Sequence, residues 1–79
     1  IQTKKVFFKL NKIAKVKDGD LKSLKILSII NNVMCFSYEK NQIKIQKIIN
    51  LIQKDNIEIL DISTEDGDLE DVFLNLTKN

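Results

Sequence analysis

The hydrophobic pattern of this 79-residue chain changes period along its length, and that change constrains the fold most. Four segments alternate apolar and polar residues or are dense in β-branched and aromatic residues, which is typical of strands. Two others repeat apolar residues at positions i, i+3, i+4 and i+7, which is typical of amphipathic helices. A chain of this length that mixes both periods is expected to be a single α+β domain spanning residues 1–79.

The predicted strands are residues 4–10, 26–30, 33–39 and 57–63. In the first strand, Val6, Phe8 and Leu10 share one face because side chains alternate along a strand. The second and third strands are predicted to form a hairpin. Asn31 and Asn32 lie between them, and asparagine tolerates the two positive φ angles that a type I′ turn needs.

Aromatic residues alternate along the predicted third strand, where Met34, Phe36 and Tyr38 share one face. The stacking aromatics of RNA-recognition modules alternate in the same way, but the K/R-G-F/Y start of that signature is missing here. Core packing, or cover by a helix near the C-terminus, is therefore favoured for these side chains. Cys35, on the other face, is predicted to be a buried and inert thiol, because no base lies near it in the sequence.

The predicted fourth strand, residues 57–63 (IEILDIS), is apolar on both faces. Ile57 and Ile59 are expected to point one way, and Leu60 and Ile62 the other. Each face of this strand therefore needs cover from another part of the molecule.

The strongest helical pattern lies in residues 42–54, where four isoleucines form one apolar stripe (Ile45, Ile48, Ile49 and Ile52). Asn41 suits the N-cap of this helix, and Lys54 suits its last turn because a cation there complements the helix dipole. Asn56 suits the left-handed conformation that ends many helices.

A second helical stripe lies near the C-terminus and is formed by Leu69, Val72, Phe73 and Leu76. Asp68 suits the N-cap of this short helix, and Glu70 and Asp71 in the first turn suit its dipole. Because these two carboxylates lie about 100° apart on a helix, they do not converge on one substrate. The stripe is either a core face or an interface, and its cover is the open sheet face, a neighbouring domain or a second copy of the chain.

Residues 11–24 are the least regular part of the sequence. The Asp18-Gly19-Asp20 cluster interrupts any helix there, although either aspartate suits the N-cap of a short, weak one. The element order then matches the ferredoxin-like split βαβ sandwich, β-α-β-β-α-β, whose usual strand order is 4-1-3-2. The C-terminal helix, within residues 68–77, is an addition to that fold.

The net charge of +2 conceals an uneven distribution. Residues 1–56 hold 12 lysines and four acidic residues, giving +8, whereas residues 57–79 hold one lysine and seven acidic residues, giving −6. Such a division either marks a nucleic-acid or membrane surface or indicates that the acidic end folds against the basic body. The second interpretation is favoured, because the chain has no arginine for bidentate recognition of phosphates and bases.

The residue inventory excludes several kinds of site. The chain has no histidine and one cysteine, which rules out histidine-based catalysis, an internal disulfide and a tetrahedral zinc site. The acidic residues near the C-terminus lack the spacing of a calcium-binding loop. No apolar run approaches the roughly 20 residues of a membrane span. We therefore expect no enzyme activity, no cofactor or metal, no nucleic-acid partner and no membrane insertion.

Residues 68–77 (DLEDVFLNLT) resemble the terminus of ATP-binding subunits of ABC transporters, of the drug-resistance and ABC-2 export type. The family pattern has LEDVFL, one variable residue, leucine and threonine, and it closes a small accessory domain that follows the ATPase domain. The hairpin, the helix and the fourth strand also resemble that domain, so that the resemblance covers residues 25–77. Gly67 stands where the family usually has proline. The start at Ile1 fits a piece excised from a longer subunit.

This resemblance implies a bacterial, cytoplasmic domain that the transporter holds at the inner face of the cell membrane. It implies docking to the ATPase domain or contacts in a dimer, through a candidate interface formed by Leu69, Glu70, Asp71, Val72, Phe73 and Leu76. The implied partners are the chain's own ATPase domain, the membrane permease subunit and a second copy. ATP and magnesium belong to the ATPase domain, since this chain has no P-loop. The alternative is a free-standing ferredoxin-like module that binds a small ligand or RNA, which the lysine-rich body motivates.

Overall fold

The computed structural model describes residues 3–65, and these form an α+β domain with one four-stranded antiparallel sheet and one helix. The elements in chain order are β1 (Thr3–Leu10), β2 (Leu24–Ile30), β3 (Val33–Glu39), α1 (Ile45–Gln53) and β4 (Ile59–Thr64). The order across the sheet is β2-β3-β1-β4, so that β1 and β3 lie in the centre. The helix predicted near the C-terminus falls outside the described residues.

The β2–β3 hairpin confirms the sequence prediction. Its two turn residues, Asn31 and Asn32, have φ angles of 50° and 65°, which is the doubly left-handed conformation of a type I′ turn. The amide of Leu10 donates a hydrogen bond of 2.9 Å to the carbonyl of Asn32. The turn is therefore fixed by its own conformation and also by a bond to the end of the central strand β1.

The core lies between one face of the sheet and α1. Val6 and Phe8 of β1 and Phe36 of β3 are fully buried there, and the rings of Phe8 and Phe36 meet edge to face with centroids 5.8 Å apart. All four isoleucines of the predicted stripe belong to the same buried cluster (Ile45, Ile48, Ile49 and Ile52). Tyr38 is buried in this cluster as well, which confirms core packing for the aromatic residues of β3.

The start of α1 differs from the prediction. Asn41, the predicted N-cap, lies in a turn where the amides of Gln42 and Ile43 both donate to the carbonyl of Glu39, at 2.9 and 3.0 Å. Ile43 is buried in the core before the helix begins. The N-cap is Lys44, which makes no side-chain hydrogen bond to the helix. The predicted start at residue 42 is wrong, because the backbone of Lys44 is extended (φ −88°, ψ 145°) and the helix begins at Ile45.

Replacing Lys44 with aspartate is expected to stabilise the domain by about 1 kcal/mol, because an N-cap carboxylate accepts a hydrogen bond from the first turn and complements the helix dipole. Urea denaturation followed by circular dichroism measures the gain. Lys54→Asp is the matched control, since it makes the same charge change at the C-cap. There we expect a loss of a few tenths of a kcal/mol. Effects of the same sign in both variants would contradict an origin in the helix ends.

The end of α1 agrees with the prediction for Asn56. This residue has a φ of 59°, and its amide donates to the carbonyl of Gln53 at 3.2 Å. The reversal places Ile57 in the core just before β4 starts. A left-handed asparagine thus ends the helix and sets the direction of the chain into the last strand.

The connection between β1 and β2 contains no helix, so the weak helix predicted within residues 11–24 is wrong. Asp20 Oδ2 accepts a bond of 2.9 Å from the amide of Lys17, and Asp18 Oδ1 accepts one of 2.8 Å from the amide of Ile26 in β2. Gly19 between them has a φ of 95°. Aspartate side chains that bind backbone amides in this way compete with a helix instead of capping one.

Although it is not helical, this connection is anchored to the domain at two places. Ala14 and Val16 are buried in the core cluster. Asn11 exchanges two hydrogen bonds with Glu58: the Asn11 amide donates to the Glu58 carbonyl at 3.1 Å, and the Glu58 amide donates to Asn11 Oδ1 at 3.0 Å. The connection therefore contributes side chains to the core without forming a helix.

A β-bulge in β4 changes the predicted facing of its side chains. Phe8 pairs with Ile62, and Leu10 pairs with Ile59, so that β4 holds an extra residue over this stretch. Ile59 and Ile62 both pack against the core, whereas Leu60 is 52% exposed. The prediction that Ile59 and Ile62 point in opposite directions is wrong, because one extra residue reverses the alternation beyond it.

Candidate interaction surfaces

The interface predicted from the sequence lies outside the described residues. It comprises Leu69, Glu70, Asp71, Val72, Phe73 and Leu76. The structure instead shows the two surfaces of the domain that remain available after α1 has covered the core. These are the sheet face opposite α1 and the exposed edge formed by β2.

The sheet face opposite α1, which we call the second face, has an apolar centre and a basic rim. Its residues are Lys5, Phe7 and Lys9 of β1, Lys25, Ser28 and Ile30 of β2, Val33, Cys35 and Ser37 of β3, and Asp61 and Ser63 of β4. Phe7 lies opposite Cys35 in the register and Lys9 lies opposite Val33, and opposed residues of antiparallel strands have neighbouring side chains. Phe7, Val33 and Cys35 therefore form one small apolar centre.

This centre is separate from the main core. Cys35 is only 4% exposed, yet it does not belong to the cluster of buried side chains beneath α1. Phe7 and Val33 are partly exposed. The second face is therefore only weakly hydrophobic, and its most buried side chain is that of Cys35.

The Cys35 thiol is held in its protonated form. Burial raises its pKa, the nearby Lys5 ammonium opposes that effect, and the Glu65 carboxylate adds to it. Because the thiolate and not the thiol is the nucleophile, a raised pKa makes this side chain less reactive at neutral pH. The burial of Cys35 confirms the first part of the sequence prediction, and the direction of its pKa supports the second.

The residue that follows β4 has its side chain on the second face. Glu65 follows β4 directly, and its Oε2 lies 3.4 Å from the Nζ of Lys5, a residue of that face. Both side chains are largely exposed, so this pair contributes at most about 1 kcal/mol to stability. A depression of about 440 Å³ beside it is lined by Thr3, Lys4, Lys5 and Glu65. Such a polar lining is unlike the mostly apolar pockets that bind small molecules.

The second surface is a row of exposed apolar side chains on the edge strand β2, which we call the edge row. It consists of Leu27, Ile29 and Ile30, which are 48%, 45% and 63% exposed. Ile29 lies opposite Met34 on the core side and Ile30 lies opposite Val33 on the second face, so that the edge row includes both sides of this edge. A register shift between Ile26 and Ser28 makes Leu27 an extra residue in β2. These residues are not among those predicted to form an interface. One signal in the sequence could have indicated this surface: four of the five residues 26–30 are apolar. An edge strand with one covered face cannot bury all four, so some of them are exposed.

The described residues offer little for other kinds of chemistry. Phe36 and Tyr38 are buried under α1, so they are not available to stack on RNA bases. Within residues 3–65, no three histidine, cysteine, aspartate or glutamate side chains are grouped so that they could hold a metal ion. In the same part of the chain, no helix has the length and apolar character that crossing a bilayer requires.

Comparison of the chain with protein-family models, with curated proteins and with solved structures found no match. The resemblance of residues 68–77 to ATP-binding subunits of ABC transporters therefore rests on the sequence motif alone.

Proposed function

We propose that this chain is an accessory interaction domain of an ABC-transporter ATP-binding subunit, of the drug-resistance and ABC-2 export type, with no catalytic activity of its own. The observation that carries the interaction role is the edge row, in which three large apolar side chains are about half exposed on an edge strand. Clustered apolar side chains on a small domain mark contact surfaces, and an edge strand adds backbone groups for pairing. The motif at residues 68–77 supports the choice of partner.

The proposal includes a ferredoxin-like split βαβ arrangement with an irregular first crossover. The strand order read from β4 is 4-1-3-2 with antiparallel neighbours throughout, which supports this arrangement. In that arrangement both crossovers lie on one face of the sheet. Here the β1–β2 connection and α1 contribute to a single buried cluster, which also supports it.

In this proposal the edge row contacts the subunit's own ATPase domain or the same domain of a second copy. Complete burial of a leucine or isoleucine side chain contributes about 1.5–3 kcal/mol. Three such side chains are enough for a partner in the same polypeptide, because a covalent link makes the effective concentration high. ATP and magnesium bind to the ATPase domain, and the membrane permease subunit keeps the assembly at the cytoplasmic face of the membrane. The domain then acts through its contacts with the ATPase domain, by transmitting changes of conformation.

The test is made in the full-length ATP-binding subunit with Leu27 and Ile29 both replaced by lysine. Because charged groups in the centre of a contact are strongly unfavourable, we expect docking to weaken by about tenfold or more. ATP turnover and dimerisation, the latter measured by sedimentation, should both change.

A matched control for this test replaces Ile13 and Leu60 with lysine. These residues are each 52% exposed, and neither belongs to β2. The control carries the same charge and the same loss of apolar area, so it should leave turnover and dimerisation unchanged. Unchanged values in the Leu27/Ile29 variant, or equal changes in both variants, would refute docking through the edge row.

A further inference from the structure

The second face and the C-terminal segment each present an apolar surface that needs a partner. Among the described residues the one helix, α1, lies on the other side of the sheet. We infer that residues 69–76 of the same chain pack as a helix across the second face, over Phe7, Val33 and Cys35. This inference does not depend on the proposed function, because it concerns packing within one chain.

Four apolar residues of the C-terminal segment would pack against the three of the apolar centre. Leu69, Val72, Phe73 and Leu76 form one stripe if the segment is helical, because they follow the helical spacing. The apolar centre of the second face lies on the two central strands, β1 and β3, and so occupies the middle of the sheet. A short helix that lies across two strands covers such a centre with one stripe.

The charges on the two sides are complementary. Lys5, Lys9 and Lys25 lie around the apolar centre of the second face, and Asp61 lies opposite Lys9, so that lysines outnumber acidic residues on this face. The segment that follows β4 contains four acidic residues between positions 66 and 71 and no lysine before Lys78. Packing of this segment on the second face brings opposite charges together, whereas the same face would repel the lysine-rich remainder of a second copy.

The length of the chain after β4 permits this packing. Glu65, the last described residue, has its side chain on the second face, with Oε2 3.4 Å from the Nζ of Lys5. Four residues from Glu65 to Leu69 span up to about 14 Å. The centre of the sheet is about 7 Å from β4, and a packed layer lies about 10 Å above it. An eight-residue helix is about 12 Å long, which is enough to cross β1 and β3.

Nuclear magnetic resonance on the full chain tests the inference directly. A sample that mixes labelled and unlabelled copies separates contacts within one chain from contacts between two chains. We expect nuclear Overhauser contacts within one chain between the Phe73 ring and the side chains of Phe7, Val33 and Cys35. The absence of these contacts would overturn the inference, and contacts only between different copies would assign the second face to a dimer instead.

The single cysteine provides a second and independent measurement. Replacing both Leu69 and Phe73 with aspartate removes the apolar stripe, and we expect alkylation of Cys35 to accelerate by about tenfold or more. The matched control, Leu74→Asp with Asn75→Asp, makes the same change of charge off the stripe and should leave the rate within about twofold. Equal acceleration in both variants, or none in either, would contradict packing on the second face. Circular dichroism confirms that the sheet is retained, and the resonance experiment needs no variant.

Discussion

Replacing Phe36 with alanine should lower the free energy of unfolding by about 3–5 kcal/mol, which is a large part of the stability of a domain this size. Phe36 is fully buried in the central strand β3, and its ring meets that of Phe8 edge to face. Removing the ring deletes that aromatic contact and leaves a cavity between the sheet and α1, which is too well packed to collapse into the space. Urea denaturation followed by circular dichroism measures the loss.

Phe7→Ala is the matched control for Phe36→Ala. Phe7 lies on the second face and is partly exposed, although it is also in a central strand. Because Phe7 is partly exposed whereas Phe36 is fully buried, folding removes less of the Phe7 side chain from water, and we expect a smaller loss. Equal losses in the two variants would contradict this difference in burial.

Replacing Asn32 with valine should destabilise the domain by about 1–3 kcal/mol, because a β-branched residue strongly disfavours positive φ. Asn32 has a φ of 65°, and its carbonyl accepts the amide of Leu10 at 2.9 Å. A valine that relaxes towards negative φ would open the turn and also strain this bond between the hairpin and β1. Urea denaturation gives the magnitude, and heteronuclear spectra show whether Leu10 loses its protection from solvent exchange.

Asn32→Gly separates the backbone effect from the loss of the side chain. Glycine adopts positive φ without strain, so this variant should stay within about 1 kcal/mol of the natural protein. A loss as large as that of the valine variant would show that the asparagine side chain, and not the left-handed conformation, holds the turn.

The parts of the fold that follow from local patterns could be predicted from the sequence. Alternation in residues 4–10 and the isoleucine stripe of α1 led to the correct elements and to the correct buried faces. The Asn31-Asn32 turn was predictable for the same reason, since few residue types tolerate its conformation. In each case a single physical preference, local in sequence, decided the structure.

The parts that depend on distant contacts could not be predicted in this way. The bulge at Leu60 follows from how β4 fits against β1, and no signal in residues 57–63 indicates it. The carbonyl of Glu39 accepts hydrogen bonds from the amides of Gln42 and Ile43 in a separate turn, and α1 starts only at Ile45. Asp18 binds an amide of β2 eight residues away, where the sequence suggested a helix cap. The edge row depends on which strand lies at the edge, which only the full topology decides.

The candidate site also has one part that could be predicted from the sequence and one part that could not. The segment that carries the family resemblance was found by its motif, and the surface proposed to receive it was not. Recognising the second face requires knowing that Phe7 and Cys35 lie opposite one another in the register. That pairing joins residues far apart in the sequence, so residue spacing alone does not reveal it.

The central position of β1 has a consequence for how the protein is made. β1 is the first strand of this sheet to leave the ribosome, whereas its two neighbours, β3 and β4, are synthesised later, β4 being the last strand of the sheet. During synthesis, the backbone of this segment, TKKVFFKL, has no partner strand on either side until β3 and β4 are made. An unpaired strand with two adjacent aromatic residues is prone to aggregate. Lys4, Lys5 and Lys9 surround Phe7 and Phe8 in this segment. Their mutual repulsion keeps nascent chains apart until the last strand arrives to complete the sheet.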